Sequence, residues 1–172
     1  MELFQTERLF IRRFTPGDAD DFYSFNGDPE VMKYIRPAKD REGCDAFLAE
    51  NISLYDPGNV AGRYFTGEKE TKRFVGTFSL LQIPGEDGMH IGYGLLPAFQ
   101  GKGYALEMLM GGTDFFFRNR PDPFLMAITE KENTASQKVL RKAGYMFHAD
   151  LQQHKPLYMY RIARPLSEQP AV

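Results

Sequence analysis

The stretch from Gln100 to Ala105, Gln-Gly-Lys-Gly-Tyr-Ala, has the residue types of an anion site. Glycine turns the backbone without Cβ clashes. A helix that starts here leaves its first N–H groups without internal acceptors, and its dipole favours negative charge at that end. The backbone donors of Gly101, Lys102, Gly103, Tyr104 and Ala105 therefore suit a phosphate or pyrophosphate, and Lys102 adds a charge. A Walker loop requires G-x-x-x-x-G-K-[ST], but Gly101-Lys102 is followed by Gly103. A Rossmann fingerprint requires G-x-G-x-x-G, which neither Gly101-Lys-Gly103 nor Gly92-Tyr-Gly94 completes. A plain strand-to-helix turn is the simpler reading of six residues, so the flanks must decide.

Those flanks position the loop. Met89 to Leu95 reads as a short buried strand, and Leu96-Pro97 stops it because proline has no N–H for a ladder. A helix is expected over 103–118, with Gly111-Gly112 unexplained in its middle at about 1 kcal/mol each against alanine. Earlier, Thr6 to Phe14 reads as an opening strand, residues 16–26 and Asp40 to Tyr55 as helices, and Val60 to Thr66 with Arg73 to Ile83 as a hairpin. Later, Phe124 to Thr129 reads as a buried strand. It follows a crossover helix and should run parallel to the strand from Met89. A helix from Asn133 ends at Gly144, and Tyr145 to His148 and Leu157 to Arg164 close the fold.

Composition narrows the class. At 172 residues with 42% hydrophobic content, 15 Phe and 9 Tyr, one packed domain over 1–166 is expected, with 167–172 a frayed tail. A formal charge of −2 gives no basic field for nucleic acid or membrane. Cys44 is the sole cysteine, which excludes an internal disulfide and a cysteine zinc cage. No signal peptide or spanning segment is read, so a cytoplasmic, reduced compartment is expected. His148 and His154 with Asp150 make a poor zinc set, and no metal is expected.

The order β-α-α-β-β-β-α-β-α-β-β, together with Gln100-x-x-Gly103-x-Ala105, resembles the GNAT N-acetyltransferases over essentially the whole chain. Thr6-Glu7-Arg8-Leu9, Asp28-Pro29-Glu30-Val31, Ile91-Gly92-Tyr93 and Asn133-x-x-Ser136-x-x-Val139-Leu140 look like the branch containing ribosomal-protein N-terminal acetyltransferases. The resemblance implies an α+β fold of three layers, with a mixed, mostly antiparallel sheet split at the fourth strand and about four helices. It implies acetyl-CoA as co-substrate and an amine-bearing acceptor, either a protein N-terminus or a small molecule. It implies that Gln100 and the loop bind the pyrophosphate. It also implies that the backbone at Leu95 and Leu96 meets the pantetheine arm, that Leu95 N–H faces the thioester carbonyl, and that Asn133 and Ser136 lie beside the arm. A monomer or homodimer is expected.

The chain departs from that branch at two points. His90 stands where the branch has a glutamate base, and an imidazole near pKa 6.5 is a competent base at neutral pH. Glu130, acting through water, is the alternative. Leu140 stands where many members carry the tyrosine acid, which leaves Ser136 as candidate acid, or no acid at all. Tyr93 and Tyr145 are read as core aromatics. Asp150 or His154 is a candidate for acceptor binding, and Asp28, Glu30, Asp45 and Glu50 are carboxylates able to attract an amine. A CoA-binding module without turnover and a protein binding another phosphate ligand are the competing readings.

Overall fold

A computed structural model describes residues 1–83, 88–152 and 155–165. Eight strands form one sheet in the order β1-β2-β3-β4-β5-β6-β8-β7. They are β1 (Glu2–Gln5), β2 (Leu9–Arg13), β3 (Gly62–Glu68), β4 (Phe74–Gln82), β5 (Met89–Leu95), β6 (Phe124–Glu130), β7 (Met146–Gln152) and β8 (Pro156–Ala163). Five α-helices lie among the described residues: α1 (Ala19–Asn26), α2 (Pro29–Met32), α3 (Arg41–Ser53), α4 (Tyr104–Asn119) and α5 (Thr134–Lys142). Every pairing is antiparallel except β5 with β6, which is parallel as the crossover helix requires.

The opening differs from the expected single strand. Thr6 to Arg8 is a turn between β1 and β2: Thr6 N–H donates to Leu9 C=O at 2.9 Å, and Leu9 N–H donates to Thr6 Oγ1 at 3.1 Å. The Glu107 carboxylate, in the first turn of α4, fixes that turn by accepting from Thr6 Oγ1 at 2.6 Å and from Arg8 N–H at 2.7 Å. Such contacts join residues a hundred positions apart, beyond the reach of a local pattern.

Two cores flank the sheet. Phe14, Phe22, Phe25, Met32, Leu48 and Phe65 pack under α1 to α3. Ile11, Phe78, Ile91, Met108, Phe116 and Leu140 belong to the larger core with α4 and α5. Tyr145 is buried there as expected, sharing a 2.7 Å hydrogen bond with Thr113. β7 runs on to Gln152, well past the expected His148.

The glycine pair in α4 now has a cause. A Cβ on Gly111 would sit 2.6 Å from Thr6 Cγ2, and one on Gly112 would sit 2.4 Å from Phe78 Cε2 and 3.1 Å from Ile91 Cδ1. Bare backbone lets α4 lie on β1, β4 and β5 closely enough to present its N-terminus at the end of β5. Gly112→Ala gains about 1 kcal/mol of helix propensity but drives a methyl into a buried ring, and overpacking costs about 1–3 kcal/mol. Net destabilisation of up to about 2 kcal/mol is expected. Urea denaturation measures it, and a stabilised variant would show that the contact does not set the helix position.

Candidate active site

The site begins where β5 and β6 part. Their register is limited to His90↔Met126 and Ile91↔Ala127, so the two strands diverge from Gly92 onward. On the other side β5 stays paired with β4 as far as Gly76↔Leu95. Leu96 N–H donates to Val75 C=O at 2.9 Å. In an antiparallel ladder this bond flanks a non-hydrogen-bonded pair, so Leu95 turns its own N–H and C=O away from β4, toward the gap. Gln100 Nε2 donates to the Leu95 carbonyl at 3.2 Å, leaving the Leu95 N–H as the group facing the opening. The Leu96 N–H, by contrast, is spent on β4.

A cavity of about 550 Å³ passes through this gap and is lined from both layers. Phe25, Tyr34 and Arg63 belong to the α1–α3 side, and Asn133, Ser136 and Leu140 to the α5 side. Alternation puts His90, Gly92 and Gly94 on one face of β5, so His90 is the only one of the three to offer a side chain there. Side chains at the other two positions would collide with Ser79 Oγ, at 2.5 Å from a Cβ on Gly92, and Phe25 Cζ, at 2.5 Å from one on Gly94. Burial, and then the charge of Arg63, pull the His90 pKa below the ordinary 6.5. The imidazole is therefore neutral at pH 7 and able to accept a proton.

Tyr93 lies on the opposite face and is not simply a core ring. It lines the cavity, and its hydroxyl is 3.1 Å from Ser136 Oγ. Burial raises its pKa, against a smaller opposing effect from that hydrogen bond. The pair brings a phenol to the region where the sequence showed only Leu140, which is 1% exposed and part of the core. Asn133 both caps α5, accepting from Ser136 N–H at 3.1 Å, and lines the cavity. Glu130 also lines it but is held by Lys155 Nζ at 2.6 Å.

The glycine loop stands outside this cavity, on the surface at the end of β5. Gly101 (φ +73°) and Gly103 (φ +84°) both take left-handed backbone, which suits glycine. No atom lies within 4 Å of the Cβ position at Gly101, so the face is open. Gly103 is the N-cap of α4 and bears no capping side chain; its carbonyl receives Glu107 N–H at 3.1 Å. The N–H groups of the first turn are thus left to an external acceptor. Tyr104 is buried as a side chain, so it offers the loop only its backbone. Gln100 donates its own N–H to Pro97 C=O at 3.2 Å and serves the loop through its amide. The acidic Glu107 does not oppose an anion, because Arg8 neutralises it at 2.6 Å while donating to Lys102 C=O at 3.0 Å. In the sequence Arg8 stands only within the Thr6-Glu7-Arg8-Leu9 resemblance, and nothing there links it to position 107. This cradle of free donors fits a pyrophosphate.

Other candidates fall elsewhere. Asp150 pairs with Lys131 at 2.6 Å and does not line the cavity. Asp28 caps α2 through Glu30 N–H at 2.8 Å, and Asp45 pairs with Arg41 at 3.0 Å. Neither these two nor Glu30 and Glu50 line the cavity. His154 and the tail at 167–172 lie outside the described residues. No group of three metal-binding side chains, and no helix long and apolar enough to cross a membrane, occurs among the described residues.

Comparison with known proteins bears on this arrangement. The profile of the acetyltransferase (GNAT) domain matches residues 8–146. The chain is 34% identical over 150 residues to the uncharacterized N-acetyltransferase p20 of Bacillus licheniformis, covering 84% of this chain and 83% of that one. The fold superimposes on a GNAT-family acetyltransferase from Bacillus anthracis with a TM-score of 0.82 at 24% identity, covering 95% and 98% of the two chains. RimL, a ribosomal L7/L12 alpha-N-protein acetyltransferase solved with coenzyme A, gives a TM-score of 0.80 at 18% identity, again covering 95% and 98%.

Gly103→Ala tests the loop. A Cβ in left-handed backbone costs about 1–2 kcal/mol, so affinity for coenzyme A, read by calorimetric titration, is expected to fall about tenfold. Unchanged affinity would place the anion elsewhere.

Proposed function

The chain belongs to the GNAT acetyltransferase family, and from that premise we propose that it transfers an acetyl group from acetyl-CoA directly to a primary amine beside His90. The observation that carries the reading is the cavity through the split sheet. It is lined from both layers, with a neutral imidazole on one face of β5 and a hydroxyl pair on the other.

Acetyl-CoA supplies the activated acyl group as a thioester. The donors of Gly101, Lys102, Gly103, Tyr104 and Ala105 hold its pyrophosphate, with Gln100 bracing the loop against Leu95. Asn133 and Ser136 border the gap that would take the arm. Leu95 N–H is aimed to receive the negative charge that grows on the carbonyl oxygen, a donor of a kind worth about 3 kcal/mol where it has been removed.

The amine must be neutral to attack. At pH 7 that costs about 1.4 kcal/mol for an N-terminal amine of pKa near 8 and about 4.6 for a lysine. His90 takes the proton that the nitrogen loses as the C–N bond forms and the C–S bond breaks. The departing thiolate takes a proton from the Tyr93–Ser136 pair, in which the raised phenol pKa keeps Tyr93 protonated at working pH. Ser136 thereby keeps the role assigned to it and gains a proton source behind it.

His90→Ala is expected to lower kcat/KM by about 10²-fold or more. In the wild type, kcat/KM should rise with pH through a step below 6.5, since His90 acts when deprotonated and its pKa is depressed. Arg63→Gln removes a positive charge, so His90 should bind its proton more tightly and the step should move to higher pH. A pH–rate profile on both proteins checks the sign, and an unchanged profile in His90→Ala would return the role to Glu130 or water. Tyr93→Phe should lower kcat by about 10-fold or more with coenzyme A affinity intact. Equal kcat would mean that the thiolate leaves without an acid.

A further inference from the structure

The acceptor side of the cavity holds a charge that an amine-binding pocket would not be expected to carry. Arg36 and Arg63 both line it. Each is held by a neutral amide instead of a carboxylate: Arg36 Nη2 donates to Asn26 Oδ1, and Arg63 Nη1 donates to Asn51 Oδ1 at 3.3 Å. Both amides are fixed in turn, Asn26 Nδ2 donating to Phe22 C=O at 3.0 Å and Asn51 Nδ2 to Phe47 C=O at 2.6 Å. The two guanidinium groups share one aromatic support, lying 4.7 and 5.2 Å from the centre of the Phe47 ring, with Lys39 Nζ 5.5 Å from it.

Neither arginine forms an ion pair among the described residues. Glu50 acts on Arg63 only through space. Arg36 Nε is buried with no hydrogen-bond partner. The one carboxylate lining the cavity among the described residues, Glu130, is taken by Lys155. Burial, then the charge of Arg63, lowers the Arg36 pKa to about 10, which reports the same lack of compensation. Part-buried charges are ordinarily paired, because desolvation is costly otherwise. Two arginines converging on a cavity with only amide partners are a binding site for an anion.

We infer that the acceptor is an amine that also carries a carboxylate, recognised by Arg36 and Arg63, with an apolar or aromatic body against Phe22, Phe25 and Tyr34. This rests on the acetyl-transfer reading and narrows its substrate class. The pyrophosphate of the co-substrate is not the anion in question, because none of the loop residues Gln100 to Ala105 lines this cavity. Polyamines are disfavoured by the same two charges. The carboxylate has two sources, the α-carboxylate of a free amino acid or an acidic second residue of a peptide whose N-terminus is acetylated.

Thiol release from acetyl-CoA separates them. L-phenylalanine is compared with L-phenylalaninamide, and a dipeptide amide of phenylalanine followed by aspartate with one followed by asparagine. The carboxylate member of one pair is expected to show kcat/KM about tenfold or more above its neutral partner. That preference runs against the supply of neutral amine in the first pair, since the less basic nitrogen of the amide is the more deprotonated at neutral pH. The pair that responds identifies the source. Arg36→Gln and Arg63→Gln should each collapse the ratio toward one, so a folding defect in either leaves the other to decide. Equal rates within both pairs, with turnover intact, would overturn the inference and leave acetyl transfer standing. Were no amine turned over, titration of N-acetyl-L-phenylalanine and its amide into the CoA-saturated protein reads the site directly. Carboxylate-dependent binding lost in either variant would uphold the anion site while transfer fails, and equal or absent binding would overturn it.

Discussion

Everything in this molecule that can do chemistry depends on β5 and β6 ceasing to pair after Ile91. A parallel pair that continued would bury the Leu95 N–H in a ladder and close the passage between the two layers. Because it stops, one strand presents backbone to the gap, a histidine to one side and a tyrosine to the other. Pro97 and the loop after it carry the chain away from the sheet at that point, and α4 begins immediately beyond. The same interruption that opens the cavity thus sets the helix N-terminus at its end, so the opening and the anion cradle have one structural cause.

The glycines show how little side chain this arrangement tolerates. On the cleft face of β5, Gly92 and Gly94 leave only His90 to project. On α4, Gly112 lets the helix lie against Phe78 and Ile91 beneath that strand. In an exposed helix such a residue is a propensity cost of about 1 kcal/mol. Here it sets a distance, and the position of the loop's donors follows from it.

What was legible in the sequence was what is local. The bounds of β5, the proline stop, the glycine corner and the parallel crossover are written in consecutive residues, and strand alternation alone separated His90 from Ile91. What was not legible depends on partners distant in sequence. Arg8 matters to the loop through Glu107, and the turn it belongs to takes Thr6 to Arg8 out of the expected strand and sets β1 before it. Tyr93 reads as one more aromatic in a phenylalanine-rich chain until α5 brings Ser136 to its hydroxyl. Arg36 sits before a proline and Arg63 inside an expected strand, and only the packing of both against Phe47 reveals them as neighbours. Of the carboxylates offered for holding an amine, Asp28 is spent on a cap and Asp45 on a surface pair, and Glu30 and Glu50 do not line the cavity.

That misplacement of charge is consistent with the chemistry proposed. An acidic pocket would attract an ammonium group but would also stabilise it, raising its pKa and opposing the proton loss that must precede attack. A pocket carrying two uncompensated arginines does the reverse. Arg63 favours the neutral histidine, and both charges would favour the neutral form of an amine bound beside them, so that base and nucleophile would each be biased toward the state in which they act. Affinity must then come from some other part of the acceptor, and a carboxylate is the group those arginines are built to hold. Recognition and activation are in this way separated. The anion anchors the substrate where cations help the reaction, whereas a carboxylate anchoring the reacting nitrogen would hinder it.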